Sequence, residues 1–598
     1  MPAPKPDLKE DFPALHRLQA LVLPEPGLAP KEESFFAREG PVTYAFSTHQ
    51  FTFQAGAQLS FATWFNLFSL EKWQQTAAGD FYLQFLGAGR FELRLLGIAR
   101  GQSQETLFQE AITVDQCLTL ALTDLISVPD FTGVLAVSLR NLGGEGTLSD
   151  IIWATDRAPK NTIDAMVVIP TYHRETQVCR LVAKLADWSR DIPHKLRICV
   201  IDNGKTLDPH RLQAEVIPSQ NFGGSGGFAR GLLAAQSAGV SHCLFLDDDA
   251  DFHTESIMRA LSFLAYSHDP DTAICGAMIA QAARHAIWEY GAAFKLVCRP
   301  QFGGADLSSF EQSAQMEAQT YTANSPRLYG GWWFFAFPVQ SVRHFPYPFF
   351  LRGDDVGFCL ANRFNLQRLN GVASYQEGFT AKENPRTWYF DTRSHMLHHL
   401  SHPGLRAPAV SLLAVVAFFL GQTVLRMHYG SARAVLLGLQ DVLRGPDAFA
   451  RLTEIEARLS KVDAASGAES WGPIPTKPSQ PRSGKRLSTF WLALGNGHWL
   501  PGFGLLGRKI TIKAQDRRDL SAVLGASDVT VLHPNEPLAY RVRHSKRAAL
   551  LIGVQFLLLA ARFLLRFHRL RRCYRARYDS LTSRAFWERS FADQKGAP

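Results

Sequence analysis

The spacing of hydrophobic and polar positions changes character along the chain. Residues 1–35 hold no periodic apolar run and read as an extended arm able to wrap another domain. Residues 36–158 are built from short stretches in which apolar and polar side chains alternate, as in Phe51-Thr52-Phe53-Gln54, Phe81 to Leu86 and Phe91 to Leu96. A period of two marks a half-buried strand, and Gly87-Ala88-Gly89 between two of these runs reads as a hairpin turn. The expected product is an antiparallel β-sandwich or jelly-roll, serving either to hold glycan or as a packing or oligomerisation module.

Beyond the polar, Pro159-containing stretch Asp156–Thr162, the pattern changes. In residues 159–402, continuous apolar runs alternate with helical stretches: Met166 to Pro170, Leu196 to Ile201, and Ser241 to Leu246. Such alternation predicts an α/β domain with a mostly parallel sheet, in which ligands gather at the carboxyl ends of the strands. Residues 403–598 read as helical. Ala407 to Leu425 is nearly all apolar and just long enough to span a bilayer; Gly421, Gln422 and the following Arg426 favour a buried or interfacial helix. Ala464 to Arg482 is rich in Ser, Pro and Gly and reads as a loop. Ala548 to Ala560 is apolar and Arg562 to Arg577 sets basic residues among Phe and Leu, which fits an in-plane amphipathic helix or a bundle helix with a solvated basic face.

Composition narrows the function classes. The net charge of +9 is concentrated between Arg541 and Arg577 around an apolar run. No zinc-finger spacing or RNA-binding aromatic module accompanies it, so anionic lipid is the expected partner and nucleic acid is not. The eight cysteines form no CxxC pair and read as buried, reduced thiols of a cytosolic protein. Met1 to Phe12 lacks the apolar run of an export signal, so the catalytic part is expected in the cytoplasm.

The candidate chemistry clusters at the predicted strand ends. Asp247, Asp248 and Asp249 follow a buried strand, and three adjacent carboxylates repel one another unless a cation or donors offset them. A divalent cation shared with a diphosphate does this, with Asp247 nearer the nucleoside and Asp249 on the metal. Asp202 ends an earlier strand and can accept from a uracil or ribose, or cap a helix. Arg174 lies in the turn after Pro170 and can meet the nucleotide, or pair with Glu175. Asn221 to Arg230 is a glycine-rich turn entering a helix; Asn221 and Gly224 are its candidate phosphate or sugar contacts. Trp332 and Trp333, read as part of a strand, point to opposite faces, so one is free to stack on a sugar. Asp354 and Asp355 supply a second acidic pair, one of which can take the acceptor hydroxyl proton while one caps a helix. Asp391, Arg393, His395, His398 and His399 form a further polar cluster, facing ligand or solvent rather than a metal.

Together these segments resemble family 2 of the GT-A glycosyltransferases. More narrowly, they resemble the bacterial galactofuranosyltransferases that polymerise the mycobacterial cell-wall galactan. The resemblance covers nearly the whole chain in layout, with its specific motifs between Pro170 and His399. It implies an N-terminal β-sandwich, a central GT-A domain and a C-terminal helical region. It implies an inverting transfer from UDP-galactofuranose to a polyprenyl-linked glycan acceptor, with Mn2+ or Mg2+, by a homo-oligomer peripheral to the cytoplasmic face of the plasma membrane. On this likeness Asp247 and Asp248 bind UDP, Asp247 and Asp249 bind metal, and Trp332 and Trp333 line the donor and acceptor site. Asp355 is the base and Asp354 an acceptor contact. Two positions depart from the family. Gln376, in Tyr375-Gln376-Glu377, stands where a metal-binding His is usual; its amide oxygen is a weaker ligand, or His395, His398 or His399 substitutes. Gly357 stands where a Glu is usual. A family member using UDP-galactopyranose, UDP-glucose or a rhamnosyl donor would carry the same diphosphate site.

Overall fold

The structure, a computed structural model, describes residues 13–28, 32–322, 327–379, 382–474, 492, 494–534 and 536–592. Residues 1–12 of the arm and 475–482 of the Ser- and Pro-rich loop lie outside the described residues.

The N-terminal region forms one antiparallel sheet of nine strands: β1 (His16–Gln19), β2 (Ala37–Glu39), β3 (Val42–Ala45), β4 (Gln50–Phe53), β5 (Gln58–Ser60), β6 (Phe81–Ala99), β7 (Glu105–Ala121), β8 (Gly133–Asn141) and β9 (Gly146–Thr155). The expected turn at Gly87-Ala88-Gly89 is not a turn: β6 runs straight through it for 19 residues. One edge of β6 is held by β7, while the other passes from β9 (residues 81–88) to β8 (residues 91–99). The glycines serve that exchange. The register shifts at Gly87, where a Cβ would lie 2.2 Å from the Thr147 carbonyl oxygen. The inward positions Phe51, Phe53, Leu83, Phe85, Phe91 and Leu93 are fully buried, as the alternation requires.

The arm joins this sheet to the next domain. Strand β1 pairs with β9, Arg17 makes an ion pair with Glu255, and Glu25 meets Lys184 at 2.9 Å. Trp64 packs edge-on to Tyr290 with ring centroids 5.4 Å apart, and the buried Lys72–Glu317 ion pair crosses the same boundary.

The central domain alternates β10 (Asp164–Thr171), α1 (Glu175–Trp188), β11 (Lys195–Asp202), β12 (Glu215–Pro218), α2 (Gly223–Ser237), β13 (His242–Phe245), α3 (Thr254–Tyr266) and β14 (Thr272–Cys275). There follow β15 (Ala277–Ala280), β16 (Ile287–Glu289), α4 (Phe310–Thr322), β17 (Phe335–Pro338), α5 (Asp354–Asn362), β18 (Asn365–Gln367) and β19 (Ala373–Gln376). The main sheet runs β12-β11-β10-β13-β17-β14-β18, with β10 to β13 parallel and β17 antiparallel between β13 and β14. Helices cover both faces of such a sheet, which is why Val167, Val168 and Ile169 are all apolar and all buried. Thr171 stands opposite Asp202, and the Leu246 amide donates to the Val168 carbonyl at 3.1 Å. The polar residues after these strands therefore emerge at one edge of the sheet.

The remainder is helix-rich: α6 (Pro385–Ser401), α7 (Ala409–Leu425), α8 (Tyr429–Arg444) and α9 (Ile455–Ser466). It also contains a sheet not evident in the hydrophobic pattern, with β20 (Arg508–Lys513) parallel to β21 (Ala526–Leu532) and β21 antiparallel to β22 (Leu538–Arg543). Helix α9 takes in residues 464–466 of the expected loop. Asn384 and Thr387 form a capping box before α6, with Pro385 at its first position. The two basic and apolar runs near the end are one helix, α10 (Lys546–Leu581), followed by α11 (Arg584–Ala592). Among the described residues α10 is the helix long and apolar enough to cross a membrane. Its inner face, from Ile552 through Phe563, Phe567 and Tyr574 to Leu581, packs on α8, α6 and α7. Helix α7 has seven buried residues but leaves Val410 and Phe418 exposed. The cysteines are unpaired, yet Cys117, Cys179 and Cys573 are exposed rather than buried, because apolar neighbours in sequence lie on opposite faces of a strand or helix.

Candidate active site

A cleft of about 1410 Å³ opens at the carboxyl edge of the main sheet. Arg174, Asn221, Gly224, Asp247, Asp248, Asp249, Trp332, Trp333, Asp354 and Asp355 all line it. Residues from five separate segments thus converge on one space.

The Asp triplet leaves the end of β13. Thr171 Oγ1 donates to Asp248 Oδ2 at 2.8 Å, and Arg174 reaches Asp248 Oδ1 at 2.9 Å and Asp249 Oδ2 at 3.0 Å. Lys382 Nζ donates to the same Asp249 oxygen at 2.6 Å. Burial, reinforced by Asp249, pushes the Asp247 carboxyl up to about 7. Burial acts on Asp249 in the same sense, but Lys382 and Arg174 outweigh it and hold Asp249 below the ordinary carboxylate range.

The acidic pair heads α5. Its approach is strained: Phe350, Arg352 and Gly353 all have left-handed backbone, with φ of 77°, 67° and 87°. A Cβ at Gly353 would lie 2.5 Å from Ser394 Cβ, so the α6 surface requires glycine there. The glycine-rich turn presses on the pair from the other side. The Gly223 amide is held by Asn221 Oδ1 at 3.0 Å, and Ser225 Oγ donates to Asp354 Oδ2 at 3.1 Å. The turn is thus a support for Asp354 as well as a wall of the cleft. Burial, with Asp355 beside it, pushes Asp354 up to about 7. Asp355 goes to about 6, raised by burial and by Asp247 while the Val356 amide and Arg352 oppose the shift.

The two tryptophans lie in a turn before β17, not in a strand. Both are buried, into different clusters. Trp332 packs on Phe228, Phe245 and Phe358, and Trp333 Nε1 donates to the Gly276 carbonyl at 3.1 Å. Each still lines the cleft.

Of the other candidates, Asp391, His395 and His398 also line the cleft, while Asp202, Gln376, Arg393 and His399 do not. Asp202 is buried outside the cleft and accepts from the Gly204 and Leu207 amides at 3.0 and 2.8 Å, which close its own loop. Gln376 is 1% exposed, stands outside the cleft lining, and its Nε2 is buried without a partner. His395 and His399 bond separate backbone carbonyls, Asp391 and Leu296, at 2.7 and 3.1 Å. Burial lowers all three, His395, His398 and His399, with His398 well below the usual range and His399 brought down to about 4. Arg393 is buried among the rings of Tyr389, Phe390 and Phe449. The absent Glu at Gly357 has a steric counterpart: a Cβ there would meet His398 Cε1 at 3.2 Å.

The donor set does not fit the three-ligand cation site that the resemblance implies. Of the three expected ligands, Asp247 and Asp249 reach the cleft and Gln376 does not, and one oxygen of Asp249 already pairs with both Lys382 and Arg174. Among the described residues no group of three His, Cys, Asp or Glu side chains could hold a metal ion.

Two cleft residues carried no signal in sequence. Lys382 is a lone lysine in a polar stretch. Glu289 ends β16, lines the cleft, and has an Oε1 without a partner; burial, reinforced by Asp355, pushes it up to about 8.

A mixed sheet with an acidic triplet at the carboxyl edge of its parallel strands, flanked by a second acidic pair on a short helix, is the arrangement of a GT-A-like domain. Residues 166–311 match the model of the family described as glycosyl transferase family 2. The central domain is thus similar to the family 2, GT-A-fold glycosyltransferases, and the chain is related to the mycobacterial GlfT2-type enzymes. It is 24% identical to galactofuranosyltransferase GlfT2 of Mycobacterium tuberculosis over 636 aligned positions, 96% of each chain. It is 25% identical to galactofuranosyltransferase GlfT2 of Mycolicibacterium smegmatis, over 62% of this chain and 61% of that one. Among solved structures, mannosyltransferase PcManGT from Pyrobaculum calidifontis, with GDP-Man and Mn2+, is 14% identical over 69% of this chain and 90% of its own, with a TM-score of 0.29. S. aureus TarS 1–349 with UDP is 14% identical over 54% and 98%, also with a TM-score of 0.29. Scores this low mark only a distant likeness.

Proposed function

We propose that this chain is an inverting galactofuranosyltransferase, moving galactofuranose from UDP-galactofuranose to a lipid-linked glycan of the cell envelope. The observation that carries this reading is the meeting in one cleft of Asp247 to Asp249 with the buried pair Asp354 and Asp355. The particular sugar is supported by the end-to-end similarity to the M. tuberculosis galactofuranosyltransferase.

In this reading the acceptor hydroxyl oxygen attacks the anomeric carbon from the face opposite the diphosphate. The bond from that carbon to the diphosphate oxygen breaks, and its electron pair leaves with UDP. The hydroxyl proton passes to the Asp355 carboxylate. With its pKa near 6, Asp355 is ionised at neutral pH yet basic enough to take that proton. Asp354, held by Ser225, fixes the acceptor, and Trp332 and Trp333 wall the sugar pocket.

The same reading seats the protein peripherally on the cytoplasmic membrane face. It is supported by the outer side of α10, where Leu557 and Leu565 are 66% and 89% exposed near Arg562, Arg566 and Arg569.

The test is acceptor-dependent UDP release with a panel of UDP-sugars and a galactose-terminated lipid-like acceptor. Turnover with UDP-galactofuranose alone is expected. Turnover with another sugar instead would keep the fold and discard the donor.

A further inference from the structure

The cleft gathers more negative charge than its side chains can tolerate alone. Asp247, Asp248, Asp249, Asp354 and Asp355 all line it, and a nucleoside diphosphate adds its own charge. Where a GT-A enzyme has a histidine-completed metal site, a divalent cation offsets this. Here the corresponding Gln376 is neutral, buried and outside the cleft lining. The position against Asp249 is instead taken by an ammonium: Lys382 Nζ lies 2.6 Å from Asp249 Oδ2, and Arg174 approaches the same oxygen at 3.0 Å. A cation bound to that oxygen at about 2.0–2.2 Å would have to displace the lysine.

Lys382 is not loosely placed. Its carbonyl accepts from Asn384 Nδ2 at 3.2 Å and from Thr387 Oγ1 at 3.4 Å, both members of the capping box that starts α6. The helix start thus fixes the lysine backbone beside the Asp triplet. An ammonium has three donors. One engages Asp249, and the geometry leaves the group facing the same cleft as Arg174 and the glycine turn, where a diphosphate would sit.

We propose that Lys382, together with Arg174, supplies the positive charge that holds the donor diphosphate and stabilises the departing UDP, in place of a protein-coordinated divalent metal. The proposal rests on the reading of the cleft as a UDP site, but not on the identity of the sugar. Charge-assisted donors fixed at the leaving oxygens bind the diphosphate and bind it more strongly as negative charge develops there, which is the condition for lowering the barrier.

The experiment is calorimetric titration of UDP into the full chain, once in EDTA and once in Mn2+, with Lys382→Met and Lys382→Arg alongside. The wild type is expected to bind UDP with the same Kd, within about threefold, in both buffers. Lys382→Met is expected to weaken binding in EDTA roughly ten- to a hundredfold, the loss of one charged hydrogen bond. Lys382→Arg recovers part of it. Wild-type binding that requires Mn2+ would overturn the proposal and leave the donor reading standing. A folded Lys382→Met, judged by its melting temperature, that binds UDP in EDTA like the wild type would also overturn it. Absence of UDP binding in either buffer would overturn both. If Lys382→Met does not fold, the two wild-type titrations decide the matter.

Discussion

Substitution of Gly223 by alanine probes how the glycine turn supports the acidic pair. Gly223 opens α2 with φ +67°, and an added Cβ would sit 2.1 Å from the Phe350 carbonyl oxygen. Real Cβ contacts begin near 3.0 Å, so that carbonyl must give by close to an ångström. The carbonyl accepts from the Ser225 amide at 3.2 Å, and Ser225 Oγ in turn holds Asp354. The left-handed backbone costs a non-glycine residue about 1–2 kcal/mol, and the overlap adds about 1–3 kcal/mol. An ångström of misplacement at a reacting group lowers turnover by about a hundredfold. Gly239, at the other end of α2, has φ +65° and nothing within 4 Å of its added Cβ, so Gly239→Ala carries the backbone strain alone. Chemical denaturation and kcat for sugar transfer, measured on both variants, separate the two contributions. Gly223→Ala is expected to be the less stable by about 1–3 kcal/mol and to lose about two orders of magnitude in kcat, while Gly239→Ala keeps its activity. Equal stability and equal activity of the two variants would refute the coupling of the turn to Asp354.

Two further outcomes are expected. Burial raises Glu289 to about 8, above its ordinary value, so the folded state binds a proton that the unfolded state has released. Its stabilising contribution is therefore complete below the ordinary carboxyl pKa and lost as pH rises through about 8; melting curves from pH 6 to 9 should show this decline in the wild type and a shallower one in Glu289→Gln. Replacing Leu557 and Leu565 with Asp should weaken sedimentation with anionic liposomes while leaving the melting temperature unchanged, since both side chains are exposed; undiminished liposome binding would rule out the outer face of α10 as the membrane contact.

The parts legible in sequence were those with strong local periodicity or an unusual local charge. Met166 to Pro170 and Leu196 to Ile201 read as buried parallel strands because burial on both faces leaves a continuous apolar run. The Asp triplet stood out because it ends such a strand. Glycine misled at Gly87 and Gly89, where a close backbone approach and a change of partner strand mimic the composition of a turn. The sheet made by β20, β21 and β22 was hidden within a helix-rich stretch because its strands are short and its partners are set by tertiary contact. Lys382 and Glu289 had no signature for a similar reason: each comes from an unremarkable stretch, and only folding sets it beside the acids. Asp202 showed the reverse, a strand-end carboxylate whose oxygens are spent on its own loop.

The central claim is that this cleft transfers a sugar from a UDP donor with Asp355 taking the acceptor proton. The direct measurement is the pH profile of acceptor-dependent UDP release from UDP-galactofuranose, for the wild type and Asp355→Asn, with UDP binding measured on both. The Asp355 carboxyl must be ionised, so wild-type turnover should rise with pH through about 6 and then level. Asp355→Asn should lose about 10²–10⁴-fold in turnover and still bind UDP. Turnover by Asp355→Asn at the wild-type rate, with the same pH profile, would contradict the account.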